Sequence, residues 1–423
     1  MNIKRIKVEG LFRLFTHEIS FKDNVTIIMG ENGVGKTVTL NLIDAIFNKR
    51  FEYMMEIEFS TIIVTFLKET WTITRSINKG KRGLKTDLVI TTSKRGVKSF
   101  VIDSDMLLPK LPIFIEKLDN ETWVNIRTRM LLSKEQIYDR YGTDASGKTL
   151  IVPEWYQRQL ERNKVKMIKT QRLISTDSDR RESPSIYMVK IYSNDLAEQM
   201  QKEMNDAGQR GADIDRSFPV RLLKSMKGHK SYDPSALFMD LRKLEEYRHQ
   251  LSSVSLLLET SQNNADDELI KELDGLDMNM LSVMHLYVKD SWEKLKKYDN
   301  IYNKVSILMD IINTRFNHKV LQVDSKRGFV FLSSHNPVED IPVEKLSSGE
   351  QNELVLFYEL LFKCDSKDLI LIDEPEISLH LTWLQAMIGD LKRITEVNGA
   401  SLLIATHSPD FVGDNYELVQ NLE

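Results

Sequence analysis

The sequence predicts an α/β fold whose strand-and-helix core is shared by the two ends of the chain. An antiparallel β subdomain and an inserted helical or coiled-coil lobe lie between those ends. Three observations predict this. A short apolar strand, a glycine-rich loop and an amphipathic helix follow one another over residues 24–47. A Thr-, Ile- and Val-rich stretch with turn signals fills 55–103. Residues 193–318 repeat apolar side chains at helical spacing, after which the chain alternates helix and strand again. The expected divisions are 1–175, 176–318 and 319–423.

The first 50 residues read strand, loop, strand, glycine-rich loop, helix. The loop Gly30-Glu31-Asn32-Gly33-Val34-Gly35-Lys36-Thr37 fits G-x-x-x-x-G-K-[ST] in full. Asn24 to Met29 supply the strand before it, and Leu40, Ile43 and Phe47 mark the helix after it. Glycines let backbone N–H groups approach phosphate oxygens, and the helix N-terminus adds partial positive charge. Lys36 is expected to reach the β- and γ-phosphates of ATP, and the Thr37 hydroxyl to hold Mg²⁺. Gly30, Asn32, Gly33, Gly35 and Val38 complete the expected nucleotide-binding set.

Turn signals at Asn78-Lys79-Gly80 and Lys94-Arg95-Gly96 divide 55–103 into antiparallel strands. Residues 109–165 read as mostly helical, broken near 142–153, with a strand at 165–168. Apolar side chains from Leu281 through Met284, Val288, Leu295, Tyr302 and Val305 to Phe316 predict an amphipathic helix of roughly 55 Å. Phe238, Leu241, Leu244, Leu251 and Leu258 mark its expected antiparallel partner, with 260–274 as the tip. A short coiled-coil arm and a helical lobe packed on the core both fit this pattern. Two strands, 319–323 and 328–332, follow.

The chain's end carries the second half of the site. Asp368 to Asp373 is an apolar strand ending in a carboxylate, followed by Glu374-Pro375. Asp373 is placed to hold Mg²⁺ and Glu374 to take the proton of an attacking water. Leu346-Ser347-Ser348-Gly349-Glu350-Gln351 opens a strong helix, aiming Ser347, Gly349 and the helix dipole at a γ-phosphate. Ordinary capping would use the same residues. Ser401 to Thr406 is another apolar strand, and His407 after it is placed to polarise the γ-phosphate.

Net charge is −4 over 423 residues, so no global basic character points to nucleic acid. Two local clusters, Arg158 to Arg172 and Lys79 to Lys85, fit DNA phosphates or simply a solvated face. The single cysteine, Cys364, allows no internal disulfide and reads as a small apolar residue on a helix. The N-terminus lacks the apolar core of a signal peptide, and no run reaches the length of a membrane span. A cytoplasmic protein with no membrane partner is expected.

Together these motifs resemble the ABC-type ATPase head of the SMC/RecF/OLD-like group, matching the first 50 and last 80 residues. Glu374-Pro375-Glu376-Ile377-Ser378-Leu379-His380 resembles the OLD-like branch, although Leu381 stands where that branch often has proline. Met167 to Leu173 and Asp215 to Pro219 resemble segments of bacterial anti-phage ATPases, the AriA ATPases of PARIS and more distantly the PtuA ATPases of Septu. The resemblance implies an ATPase that pairs head to head or forms higher homo-oligomers, with Ser347 and Gly349 of one copy closing over ATP held by the other. It implies Gln171 as a Mg²⁺-touching glutamine that reports nucleotide state. It implies a defence scaffold that holds a separate Toprim or HNH nuclease and answers a phage-encoded trigger. OLD proteins carry Toprim after the head; with 16 residues beyond His407 and no HNH pattern, nuclease activity is not expected in this chain. A DNA-repair or chromosome-maintenance ATPase of the RecF/SMC type is the alternative. A transporter motor is a third, disfavoured by the Leu-His detail.

Overall fold

The computed structural model describes residues 2–80, 83–103, 114–118, 122–128, 130–133, 152–168, 184–227, 233–257, 277–336, 339–376 and 381–422. The chain forms two compact units, one from 1–170 with 364–423 and one from 171–363.

The first unit opens with β1 (Ile3–Leu11), β2 (Phe15–Ser20) and β3 (Val25–Met29), then α1 (Lys36–Phe47) and α2 (Phe51–Glu56). Four strands follow: β4 (Thr61–Phe66), β5 (Thr70–Gly80), β6 (Gly83–Thr92) and β7 (Phe100–Asp103). They join β1 and β2 in an antiparallel sheet of order β2-β1-β4-β5-β6-β7. Along β4 the Ile and Val side chains alternate buried and half-buried, the period-2 pattern of a sheet with one covered face.

Residues 109–165 correct the expectation of helix. Three short strands, β8 (Ile115–Lys117), β9 (Thr122–Asn125) and β10 (Met130–Ser133), form an antiparallel sheet. Strands of three or four residues are too short to show a period, so pairing rather than pattern decides them. The described helix in this stretch is α3 (Glu154–Arg162), followed by β11 (Lys164–Ile168). The fully buried Tyr156 of α3 stacks on Trp71 at 4.4 Å between ring centroids. Its hydroxyl donates to the Ile46 carbonyl, so α3 is fastened to the end of α1.

The chain returns to this unit with β15 (Asp368–Asp373), α9 (Leu381–Asn398), β16 (Ser401–Thr406), α10 (Pro409–Val412) and β17 (Val419–Asn421). A parallel sheet of order β11-β15-β16-β3-β17 results. Its central strands are continuous apolar runs, as both covered faces require. Register places Asp373 opposite Ala405 and Thr406 opposite Met29. The carboxyl ends of β15, β16 and β3 therefore meet at one edge, where open parallel sheets bind ligands.

The second unit contains α4 (Pro184–Lys227), α5 (Pro234–Ser253), α6 (Met278–Leu295) and α7 (Asp299–Arg315). The hairpin β12 (Lys319–Asp324) and β13 (Gly328–Ser333), the edge strand β14 (Asp340–Ile341) and α8 (Ser348–Phe362) complete it. A single 3₁₀ turn at Lys296–Tyr298 joins α6 to α7, so the long amphipathic run is two helices.

Helix direction corrects a second expectation. Arg210 pairs with Glu293, Lys294 with Asp215 at 2.6 Å, and Arg221 with Asp290, so α4 runs antiparallel to α6. In α5, Leu237 and Leu241 cluster with Leu281 and Val288, while Tyr247 stacks on Trp292 and bonds Asp299. Position rises on both helices together, so α5 runs parallel to α6. The expected tip at 260–274 lies outside the described residues. Pro219 stands inside α4. Near it, the Ile214 carbonyl accepts from Ser217 Oγ and the Arg221 guanidinium.

Cys364 is buried just beyond α8 rather than on a helix. Among the described residues no helix is long and apolar enough to cross a membrane.

Candidate functional site

The loop between β3 and α1 holds the first half of the site. Gly33 and Gly35 both take φ of +93°, a left-handed conformation that side chains resist. A methyl on Gly35 would also meet Leu11 Cδ2 at 2.8 Å, so the loop is seated tightly on the β1–β2 turn. In that turn Phe12 and Arg13 are both left-handed, with φ of 52° and 63°. Lys36 is 5% exposed, and its ammonium donates to the carbonyls of Gly30 (2.7 Å) and Glu31 (3.0 Å). Its charge is thus held over the loop's own backbone. Asn32 and Thr37 face solvent, while Val38 packs against the core.

The second half stands at the ends of the neighbouring strands. The Thr37 hydroxyl lies beside the Asp373 carboxylate, so the start of α1 meets the end of β15. Burial pushes the Asp373 carboxyl above the usual carboxylate range; the nearby Thr37 hydroxyl opposes this, Glu374 and Glu376 add to it, and Lys36 opposes it. Asp373 Oδ1 is buried without a hydrogen-bond partner among the described residues. Glu374 has φ of +44°, rare for a side-chain-bearing residue. Its N–H donates to the Ala405 carbonyl at 2.8 Å, which holds the strained backbone against β16. Glu374 Oε1 lies 3.3 Å from His407 Nδ1.

The fold thus brings Lys36, Thr37, Asp373, Glu374 and His407 to one sheet edge, with Gly30, Asn32, Gly33, Gly35 and Val38 beside them. Ser347 and Gly349 belong to the other unit. There Ser347 caps α8: its Oγ accepts from Glu350 N at 3.3 Å, and Glu350 Oε2 accepts from Ser347 N at 2.6 Å. Lys319 of β12 donates to both oxygens of Glu350, at 2.9 and 2.6 Å. With its oxygen accepting from the cap, the Ser347 hydroxyl proton stays available to donate. Gln171 lies outside the described residues.

Sequence reasoning missed three residues that shape these surroundings. Lys319 steadies the Ser347 cap, and no motif marks it. His17 of β2 is 1% exposed, and its Nδ1 lies 2.8 Å from Thr39 Oγ1 on α1. Glu376 was legible as part of the acidic motif, but its role was not. The basic cluster near 158–172 is partly spent on pairs: Arg158 with Glu154, and Lys166 with the buried Asp368 at 2.5 Å. Lys169, Arg172, Lys81 and Arg82 lie outside the described residues.

The AAA ATPase domain model matches residues 1–412. The chain belongs to this family. Its fold is that of a P-loop, ABC-type ATPase head with a helical insertion. Among relatives of this AAA ATPase, the UvrABC system protein A of Clostridium acetobutylicum is 26% identical over 141 residues, 33% of this chain and 13% of that protein. Protein ea59 of Escherichia phage lambda is 30% identical over 119 residues, 28% of this chain and 22% of the phage protein. The chain thus spans under a quarter of the length of these curated relatives. Among solved structures, the Smc head domain of Pyrococcus furiosus with an extended coiled coil, bound to the C-terminal domain of ScpA, is 11% identical. That match covers 97% of this chain and 91% of that one, with a TM-score of 0.34.

Proposed function

We propose that this AAA ATPase is the ATP-hydrolysing scaffold of a bacterial anti-phage system, holding a separate effector nuclease and releasing or activating it. The observation that carries the hydrolytic part is the meeting of the phosphate loop with the carboxyl ends of β15 and β16, where Glu374 Oε1 lies 3.3 Å from His407 Nδ1. In this reading Lys36 and the loop N–H groups bind the β- and γ-phosphates. Glu374 accepts the proton of the attacking water, and His407 faces the γ-phosphate.

Thr37 and Asp373 are the residues that would hold Mg²⁺. Hard oxygen donors and the orphaned Asp373 Oδ1 fit such a cation. Among the described residues no three His, Cys, Asp or Glu side chains form a metal-holding group, so phosphate oxygens and water would complete the set. Bound there, the cation would neutralise charge on the phosphate oxygens.

Ser347 and Gly349 of a second copy would close over the γ-phosphate, so ATP joins two heads and hydrolysis parts them. The differential affinity of the paired state for ATP would drive the partner switch. The defence role is supported by the likeness of residues 373–380 to the OLD-like branch. Gln171 as nucleotide reporter and the phage-encoded trigger belong to the same reading.

The test is a pull-down of tagged Glu374→Gln from its host with ATP, against Lys36→Ala, which should bind no ATP. A stoichiometric partner with Toprim or HNH nuclease activity, lost in Lys36→Ala, is the expected result. DNA or recombination proteins in its place, with DNA-stimulated ATPase activity, would overturn the defence reading in favour of a repair ATPase.

A further inference from the structure

We propose that Glu376 is the positioning residue of this site, a buried carboxylate that sets which nitrogen of His407 faces the nucleotide. The proposal rests on the reading of His407 given above. The Glu376 side chain is 7% exposed. Its Oε1 accepts from Thr406 Oγ1 at 2.5 Å and from the backbone N–H of His407 at 3.3 Å. Thr406, fully buried, in turn accepts from Ser408 N at 3.0 Å. The three residues at the end of β16 are therefore tied to a single carboxylate oxygen.

The same oxygen lies 3.5 Å from His407 Nδ1, and Glu374 Oε1 approaches that nitrogen at 3.3 Å. Two carboxylate oxygens on one side of the ring favour the tautomer protonated at Nδ1. Nε2 is then the nitrogen left to face substrate. The two acids differ in freedom: the Glu374 side chain is 26% exposed, the Glu376 side chain 7%. Glu374 must turn to the attacking water to act as a base. A second, immobile acceptor keeps His407 oriented while it does so.

Glu376 is poorly explained as a stability device. Its Oε2 is buried with no hydrogen-bond partner among the described residues, which penalises the fold. A threonine–glutamine or apolar pair would hold the corner without a half-satisfied buried carboxylate. Its geometry instead serves the residue it grips.

The experiment compares Glu376→Ala, Glu376→Gln and His407→Ala, and the double variant Glu376→Ala/His407→Ala. Steady-state ATPase kinetics are read with ¹⁵N–¹H correlation of the His407 imidazole, assigned by its loss in His407→Ala. The wild-type ring should be protonated at Nδ1. Glu376→Ala should lower kcat by about tenfold to a hundredfold with KM nearly unchanged. It should also change the His407 tautomer signature. Glu376→Gln, which keeps an acceptor oxygen, should restore most of kcat; Glu376→Met, which keeps the bulk without an acceptor, takes the place of the alanine form should that not fold. The double variant should be no slower than His407→Ala. An unchanged His407 signature in the variant that lacks the acceptor overturns the proposal, as does full additivity of the Glu376 and His407 losses. If His407→Ala alone hydrolyses ATP normally, the reading of His407 fails; the imidazole spectrum still decides whether Glu376 orients it.

Discussion

Single residues in this site are held against their own preferences. Asp373 carries its charge in a half-buried corner among two other acids, and burial raises its pKa. A raised carboxyl pKa means that above it the folded state bears a charge it disfavours. Asp373→Asn should therefore raise the melting temperature of the nucleotide-free protein at pH 7, while kcat falls by about two orders or more. Thermal unfolding and ATPase assays on one preparation check this; a variant that melts lower would sink it.

His17 gives the opposite sign of pH dependence. Burial lowers its pKa, so the folded chain resists the proton that the unfolded chain accepts. Stability should be undiminished above about pH 6.5 and fall as pH drops through that value. Denaturant titrations between pH 8 and 5 should show a shallower acid loss for His17→Gln than for wild type. Parallel losses would remove His17 from the account.

At the scale of elements, the hairpin β12–β13 is seated on α4 by backbone contact. Gly328 has φ of +73°, and a methyl there would lie 1.9 Å from the Ser193 carbonyl oxygen. Ser193 Oγ donates to the Arg327 carbonyl at 2.9 Å and accepts from Phe329 N at 2.8 Å, clasping the turn from both sides. Gly328→Ala should destabilise this unit by on the order of 3 kcal/mol, through strain and lost clasping. An alanine variant with wild-type denaturation midpoints would disprove the packing. α8 is held from beneath by the buried Arg315–Glu353 pair at 3.3 Å, with the guanidinium over the Phe357 ring at 4.6 Å.

Elements with strong local rules were legible beforehand: the β3–loop–α1 unit, β11, β12, β13 and β15 were expected close to where they stand. Those without such rules were not. β8, β9 and β10 exist through pairing, and the direction of α5 relative to α6 depends on contacts that periodicity does not encode. Apolar spacing at 237–251 shows which face of α5 is covered, but a parallel and an antiparallel neighbour cover it equally well.

For the whole molecule, the composite-site reading makes one demand. Glu374→Gln should keep ATP binding, slow turnover by about two orders or more, and accumulate a paired species with ATP. Light scattering after size exclusion reads the pairing. Adding Ser347→Arg should return monomers that still bind ATP. A wild-type monomer that hydrolyses ATP as fast per head as the assembly would refute the pairing model.

The sequence by itself determined the phosphate loop, the Asp-Glu strand end and the helix capped at Ser347. Each is a local device, in which a few consecutive residues specify both backbone conformation and chemistry. Only the tertiary structure decided that Thr37 lies beside Asp373, that Glu374 and Glu376 both approach one histidine nitrogen, and that His17 lies buried against α1. Thr37 and Asp373 are separated by more than 300 positions. Their meeting depends on the register of parallel strands, which packing of the whole sheet sets and no local pattern records.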